Sequence, residues 1–542
     1  MKLAILIDSF KLPIWKYKII EDFYNNESIE LCLIKIKFDP IQKFFNFIQK
    51  INGALFYLYE SLDYLVFSNA NQFKESQNIK DALSKINIKN SEYKIIKIEF
   101  KKNKLLCIDN CSYKEELDFD LIADLTETLK KDFYKNFSAV SKKGICFFEI
   151  GEQADLFLPF FRELYLNLST INVCLCITDG KYKKKLYESC SSTYNFSLYL
   201  NINKNFWKVS DFINRKIDTI NEFSISNFSS NDKCFRYDHK VPSNFLMIKF
   251  LIKILKTLIK KKLTSLKFKQ QWFLAFQKIR QETDFIDGAE DKSNFKIITP
   301  PNDKFFADPF IVNEDNKSYV FFEEYCFLKQ KGMISYLEIN EEEKVSTPEV
   351  ILEKDYHLSY PFIFKHENKY YMLPETLGNK TIELYEATEF PKKWKLKKIL
   401  FNNINAVDNS LVFYNEKFWL FTNVSTSGVA LSDELFIFYS DSLLGEWKPH
   451  SKNPVISNSK TARSAGKFFF HKGKLIRPSQ KNSLRYGYAL NFNNVDILTE
   501  DDYKETLIKT IKPEFIDNNL AIHTFNSDNT YNIIDGMKLI KK

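Results

Sequence analysis

The sequence predicts a two-part chain: an α/β N-terminal domain on a mostly parallel sheet, then an all-β five-bladed propeller. Three observations carry this reading. Strand-like and helix-like segments alternate from residue 1 to about 221, as in α/β domains. A polar stretch and a Lys-rich helical segment then break the pattern over 222–268. Beyond residue 300 a hairpin motif returns five times, its anchors 52, 48, 55 and 60 residues apart, and about fifty residues is one propeller blade of four strands.

In the first domain (1–221), KLAILID reads as a strand, followed by a helix around 14–25, the strand IELCLIKIKF and a helical stretch over 40–50. FDLIADL and GICFFEI continue the alternation, as do the helical ADLFLPFFRELYLNL and the strand INVCLCIT. Asp8 follows the opening apolar run directly, with no long apolar core and no small-residue cleavage site, so a strand is expected rather than a signal peptide, and a cytoplasmic protein. Eight of the nine Cys precede residue 240 while the first His is His239, so buried reduced thiols are expected rather than a metal site. With 44% hydrophobic and 27% charged residues, 15 Pro and 13 Gly, the chain is neither collagen-like, mucin-like nor a linker. The net charge of +9 is too mild to imply a nucleic-acid partner, and none is expected.

Residues 222–244 lose periodicity and gather Ser and Asn, a linker composition. In the segment that follows (245–268), Lys249, Lys253, Lys256 and Lys260 share one helical face opposite Leu, Ile and Phe. Two readings fit: peripheral contact with an anionic membrane surface, and a connector docked on its own domains with a solvated Lys face, the latter preferred.

The propeller region (269–542) rests on ADPFIVNEDNKSYVFFEE, SYPFIFKHENKYYMLPET, VDNSLVFYNEKFWLFTN, SAGKFFFHKGKLIRPSQ and HTFNSDNTYNIIDG. Each has a polar opening, an apolar run, an Asn/Asp/Gly-Lys turn and an aromatic strand, which is a β-hairpin. The isolated QQWFLAFQKI at 270–279 is expected to close the ring with the last blade. A two-sheet sandwich would not explain the repeated polar opening.

First strands of blades line the axis, so Asp308, Tyr360, Asp408, Arg463 and His523 should converge, joined by Glu323 or Glu324, Glu375, Asn423, Gln480 and Asp535 from the second strands. Carboxylates, amides, a guanidinium and an imidazole together suit a polyhydroxylated ligand. Sugar chemistry needs paired carboxyl groups, one for charge at the anomeric carbon and one for a proton on oxygen. Asp308 and Asp408 are the first candidates for catalysis, with Glu375 as a further proton source; turn formation is the competing explanation for both Asp residues. Arg463 and Arg477, with Arg485, suit a phosphate or carboxylate, or surface ion pairs. His357 and His523 are candidates for proton transfer or hydroxyl binding, whereas His366, His450 and His471 are expected in exposed turns.

The motifs FFADPF, HLSYPFIF, YYMLPET, TIELYEA, AVDNSLVF, SDSLLGEWKPH, RSAGKFF, IRPSQ and RYGYAL, spanning about 270–542, together resemble a propeller domain of bacterial proteins related to the N-terminal region of plant glucosamine inositolphosphorylceramide transferases. That domain is more distantly similar to the five-bladed glycoside hydrolase family 43 fold, in which an Asp opening the first blade is the base, an Asp opening the third tunes acidity and a Glu opening the fourth is the acid. The resemblance makes Asp308 the base and Asp408 the modulator. Its fourth-blade position is RSAG around Arg463, without Glu, leaving Glu375 or Glu323 to supply a proton from a neighbouring blade. It implies a glycosyltransferase-like protein of surface-glycan or glycolipid biosynthesis acting on a carbohydrate or glycolipid, with no cofactor or metal and a nucleotide sugar as the donor compatible with it. A non-catalytic carbohydrate-binding scaffold and an intracellular family 43-like hydrolase are the alternatives. The first domain resembles the formyltransferase-like domain that precedes such propellers, but it lacks the catalytic His, so formyl transfer is not expected.

Overall fold

The computed structural model describes residues 1–38, 52–68, 76–78, 94–101, 104–107, 118–126, 134, 137–151, 158–224, 228, 240–279, 286, 295–426, 429–528 and 530–542; the helical stretch expected over 40–50 lies outside them. The chain divides into two compact units, Met1–Leu258 and Ile259–Lys542, the division falling inside the helix Asn244–Lys267.

The first unit holds an eight-stranded sheet in the order Lys183–Ser192, Thr170–Thr178, Ile145–Ile150, Leu121–Asp124, Lys2–Ile7, Glu30–Phe38, Lys94–Lys101, Lys104–Cys107. The five central strands, from Ile145–Ile150 to Lys94–Lys101, are parallel. Leu3 through Ile7 are wholly buried, as expected of a strand covered on both faces. Both edges are antiparallel, so the mostly parallel reading holds only for the centre. At the outermost pairs the reason is connection length: Thr170–Thr178 returns into Lys183–Ser192 through a tight Asp179–Tyr182 turn, and so short a turn permits only antiparallel pairing. The helices Ile14–Tyr24 and Leu198–Val209 bury Trp15, Ile19, Ile20, Phe23 and Leu198 in one core. Cys32, Cys146, Cys174, Cys176 and Cys190 are buried, and burial pushes the Cys174 thiol up to about 12.

The second unit is a five-bladed propeller. Blade I runs over Lys304–Leu352, blade II over Ser359–Asn402, blade III over Ala406–Ser457 and blade IV over Phe469–Ile511. Blade V pairs Phe525–Ser527 and Tyr531–Lys541 with Phe268–Lys278 and Lys296–Ile298. The strand around Trp272 therefore closes the ring, in antiparallel register with Tyr531–Lys541 along its full 11 residues. The two faces of that strand enter different cores. Leu274 and Phe276 pack with Ile311, Val320 and Phe322 of blade I, whereas Phe273 and Ala275 pack with Ile476, Leu490 and Phe492 of blade IV. Period-two alternation thus seals both seams of the closing blade.

Candidate functional site

Blades I, II and III open with the same device. Register slips between Ala307 and Phe310, between Ser359 and Phe362, and between Val407 and Ser410, so each inner strand carries a bulge. The first bulged residue in each has positive φ: Asp308 at 50°, Tyr360 at 45° and Asp408 at 52°. Non-glycine residues in this region cost on the order of 1–2 kcal/mol each, and bulges re-aim a side chain out of the pleat. Repetition in three blades explains why residues 52 and 48 positions apart gather at one axis. The inner segment of blade IV instead carries Gly466 at φ 130°, where a Cβ would stand 1.9 Å from the Phe525 carbonyl oxygen.

The axial group forms two linked halves. In one, Thr524 Oγ1 donates to Asp308 Oδ1 at 2.8 Å and His523 Nε2 lies 3.8 Å from the same oxygen. The other ring nitrogen of His523 contacts Asp535, whose carboxylate also accepts the backbone N–H groups of Asp308, His523 and Thr524 at 2.9–3.1 Å. In the other half, Arg463 Nε and Nη2 donate to both Asp408 oxygens at 2.5 and 3.2 Å, and Gln480 Nε2 adds a bond at 2.9 Å. Glu375 hydrogen-bonds Asp408. Glu323 faces the His357 ring at 3.4 Å.

Five carboxyl groups (Asp308, Glu323, Glu375, Asp408, Asp535) thus surround two cations, Arg463 and His523, and all five residues are buried. Burial raises Asp308 to about 6, with Asp408 and Asp535 adding to the rise and His523 opposing it. Burial raises Glu375 to about 8, helped by the charge of Asp408 and opposed by Arg463. Glu323 is pushed well up by burial and then by Asp308 and Glu375. For His523, burial favours the neutral ring, but the carboxylates of Asp535 and Asp308 win and raise it. At neutral pH Glu375, at about 8, holds its proton while Asp308, at about 6, has lost its own, the separation of roles that acid–base chemistry requires.

Among the residues singled out by sequence, Asp308, Glu323, Glu375, Asp408, Arg463, Gln480 and His523 come together, with His357 at the edge. Tyr360 is buried across the axis, its hydroxyl accepting from Gly466 N at 2.6 Å and pairing with Ser410 Oγ at 2.8 Å. Asn423 has both ends taken by backbone, donating to the Glu434 carbonyl and accepting from Ser464 N. Arg477 is spent on a bidentate bond with Glu505 at 2.7 and 2.8 Å. Glu324 turns to Lys304 and Ser335. His450 and His471 are buried rather than exposed, His450 Nδ1 accepting from Lys452 N.

Three residues were not foreseen at the site. Trp272 stacks on His523 with centroids 4.0 Å apart, and Tyr486 meets both rings edge-on. The Arg463 guanidinium lies 4.9 Å from the Tyr486 centroid, and Tyr486 keeps 49% of its surface exposed. Thr524 is the third. The signal for Tyr486 is Gly487, at φ 61°: a Cβ there would stand 2.8 Å from His523 Cβ and 3.0 Å from Trp272, so only glycine lets this loop close over them. Asp308, Glu323 and Glu375 retain 5–7% exposure, so the carboxyl group meets solvent narrowly, beside an aromatic face suited to a sugar ring.

Residues 295–531 match the family model described as glucosamine inositolphosphorylceramide transferase 1, N-terminal. Glucosamine inositolphosphorylceramide transferase 1 of Oryza sativa subsp. japonica is 37% identical over 205 residues, covering 37% of this chain and 27% of that protein. The Arabidopsis thaliana protein of the same name is 32% identical with the same coverage. The chain thus matches about a quarter of the length of these curated relatives. Among solved structures, Zg3597, a family 117 glycoside hydrolase of Zobellia galactanivorans, is 12% identical, covering 49% of this chain and 90% of that one with a TM-score of 0.31. The catalytic domain of the Coprinopsis cinerea GH62 α-L-arabinofuranosidase is 8% identical, covering 43% and 90%, with a TM-score of 0.34.

Proposed function

We propose that this chain is a glycosyltransferase-like, carbohydrate-active protein of glycolipid or surface-glycan biosynthesis, binding a sugar at the axial end of its propeller. One observation carries the reading: two buried carboxyl groups, Asp308 and Glu375, are pushed up to about 6 and about 8 on either side of an ion-paired Asp408. Between those values Asp308 is a base while Glu375 is an acid.

Glu375 gives its proton to the oxygen leaving the anomeric carbon as that C–O bond breaks. Asp308 takes the proton of the acceptor hydroxyl as the new C–O bond forms. Asp408 stabilises positive charge developing on the sugar, held by Arg463 and Gln480. Glu323, His357 and His523 bond sugar hydroxyls, and Tyr486 offers its exposed face to the ring. The match to the transferase family supports a glycosylated inositol phospholipid as the substrate class and a nucleotide sugar as donor.

A second reading, a carbohydrate-binding module, is favoured by the full occupancy of both Asp408 oxygens within the protein. The test is to incubate the full chain with nucleotide sugars and glycosylated inositol phospholipids and follow products by mass spectrometry. Turnover that Asp308→Asn and Glu375→Gln each reduce by about 100-fold or more supports acid–base transfer. Binding without turnover selects the module, and neither binding nor turnover rejects both.

A further inference from the structure

The helix Asn244–Lys267 contains seven Lys and no Asp or Glu. Its sequence alone suits a connector with one apolar face against its own domain and a Lys face in solvent. The structure shows a different distribution. Only Met247 and Phe250 are buried, entering the core of the N-terminal unit, where Phe250 packs edge-on against Tyr59. On another face, Phe245, Ile248, Ile252 and Leu255 stand in solvent, Phe245 with 69% of its surface exposed. At 100° per residue these four fall within one quarter-turn, flanked on one side by Lys249, Lys253 and Lys256. The same spacing carries on through Ile259, Leu263 and Leu266, also exposed.

The neighbouring helix Ala54–Phe67, joined to this one by the Leu55 N–H bond to Asn244 Oδ1, likewise exposes Leu58, Leu62 and Leu65. So much large apolar surface on adjacent helices is unfavourable in water. A protein partner would be met by the apolar stripe alone; the row of ammonium groups along its flank asks for a surface that is both apolar and negatively charged. An anionic bilayer offers acyl chains at the depth of the stripe and phosphate at the depth of the lysines. Among the described residues no helix is long and apolar enough to cross a membrane.

We infer that the helix Asn244–Lys267, with Ala54–Phe67 beside it, lies in the interface of an anionic lipid bilayer and holds the protein at the membrane surface. This stands independently of the sugar site. The test is co-sedimentation of the full chain with vesicles of phosphatidylcholine alone or with added phosphatidylserine, alongside Ile252→Glu and the double variant Lys249→Ala/Lys256→Ala. Ile252 lies in the exposed stripe and Lys249 and Lys256 on its flank, and circular dichroism with a thermal melt verifies that each variant folds. Expected is binding that requires phosphatidylserine, weakens as salt is raised, and falls by about tenfold or more in each variant, since each lysine near such a surface is worth about fivefold. Absence of binding, equal binding to both vesicles, or a concentration-dependent dimer that Ile252→Glu dissolves would overturn the inference.

Discussion

The Glu375 carboxyl is unfavourable to fold in its charged form, and that gives it a signature. Its folded value of about 8 lies above the ordinary 4.5, so between these pH values the folded chain holds a proton that the unfolded chain has released, and stability falls as pH rises. Glu375→Gln should therefore melt at the same temperature as the parent near pH 4.5 and progressively higher than it toward pH 8, read by thermal melts across that range. Turnover should be bell-shaped, rising as Asp308 ionises around 6 and falling as Glu375 loses its proton around 8. Arg463→Ala should destabilise the propeller by about 3–5 kcal/mol in denaturant titrations by leaving Asp408 buried without its guanidinium partner, and Asp408→Asn in the same chain should recover part of that loss. At this scale the polar openings of the repeats were legible because inner strands must face the axis. What sequence spacing did not reveal was which side chains were already spent: Arg477, three residues before Gln480, is consumed by Glu505, and Asn423 by two backbone groups.

Bulges, rather than turns, deliver the site. Asp tolerates positive φ but Tyr does not announce it, and the pairing register that forces it comes from the hairpins as wholes, so the repeat was readable while its mechanism was not. Gly466 is the exception where glycine is required. Gly466→Ala should drive a Cβ onto the Phe525 carbonyl oxygen and displace the N–H that Tyr360 accepts, lowering stability by about 2 kcal/mol or more and loosening the axis, measurable by hydrogen exchange at the inner strands. In the N-terminal unit, alternation revealed the parallel centre of the sheet, whereas its outermost antiparallel pairs depend on turn length, a weaker signal than periodicity. The Lys-rich helix was located by its spacing, but only packing distinguishes the docked residues Met247 and Phe250 from the stripe left in solvent.

Across the whole propeller, closure joins residues more than 250 positions apart, since Phe268–Lys278 is held between the outer strand Lys296–Ile298 and the C-terminal Tyr531–Lys541. Blade cohesion then belongs to the ring, and truncating the chain after Thr530 should abolish cooperative unfolding of the propeller rather than trim one strand, because both seams of blade V lose their shared core. The five-fold repeat made this closure readable, with the isolated Trp272 segment supplying the missing third strand of blade V. The proposed role of the ring's axial group is to bind sugar. Isothermal titration of the full chain with the water-soluble glycosyl inositol phosphate headgroup tests it most directly, comparing the parent with Asp308→Asn, Tyr486→Ala and the distant surface variant Lys365→Ala. Expected is saturable binding that each of the first two variants weakens by about tenfold or more while Lys365→Ala leaves it unchanged; equal binding by all four proteins, or none by the parent, would rule out a sugar site at the axis.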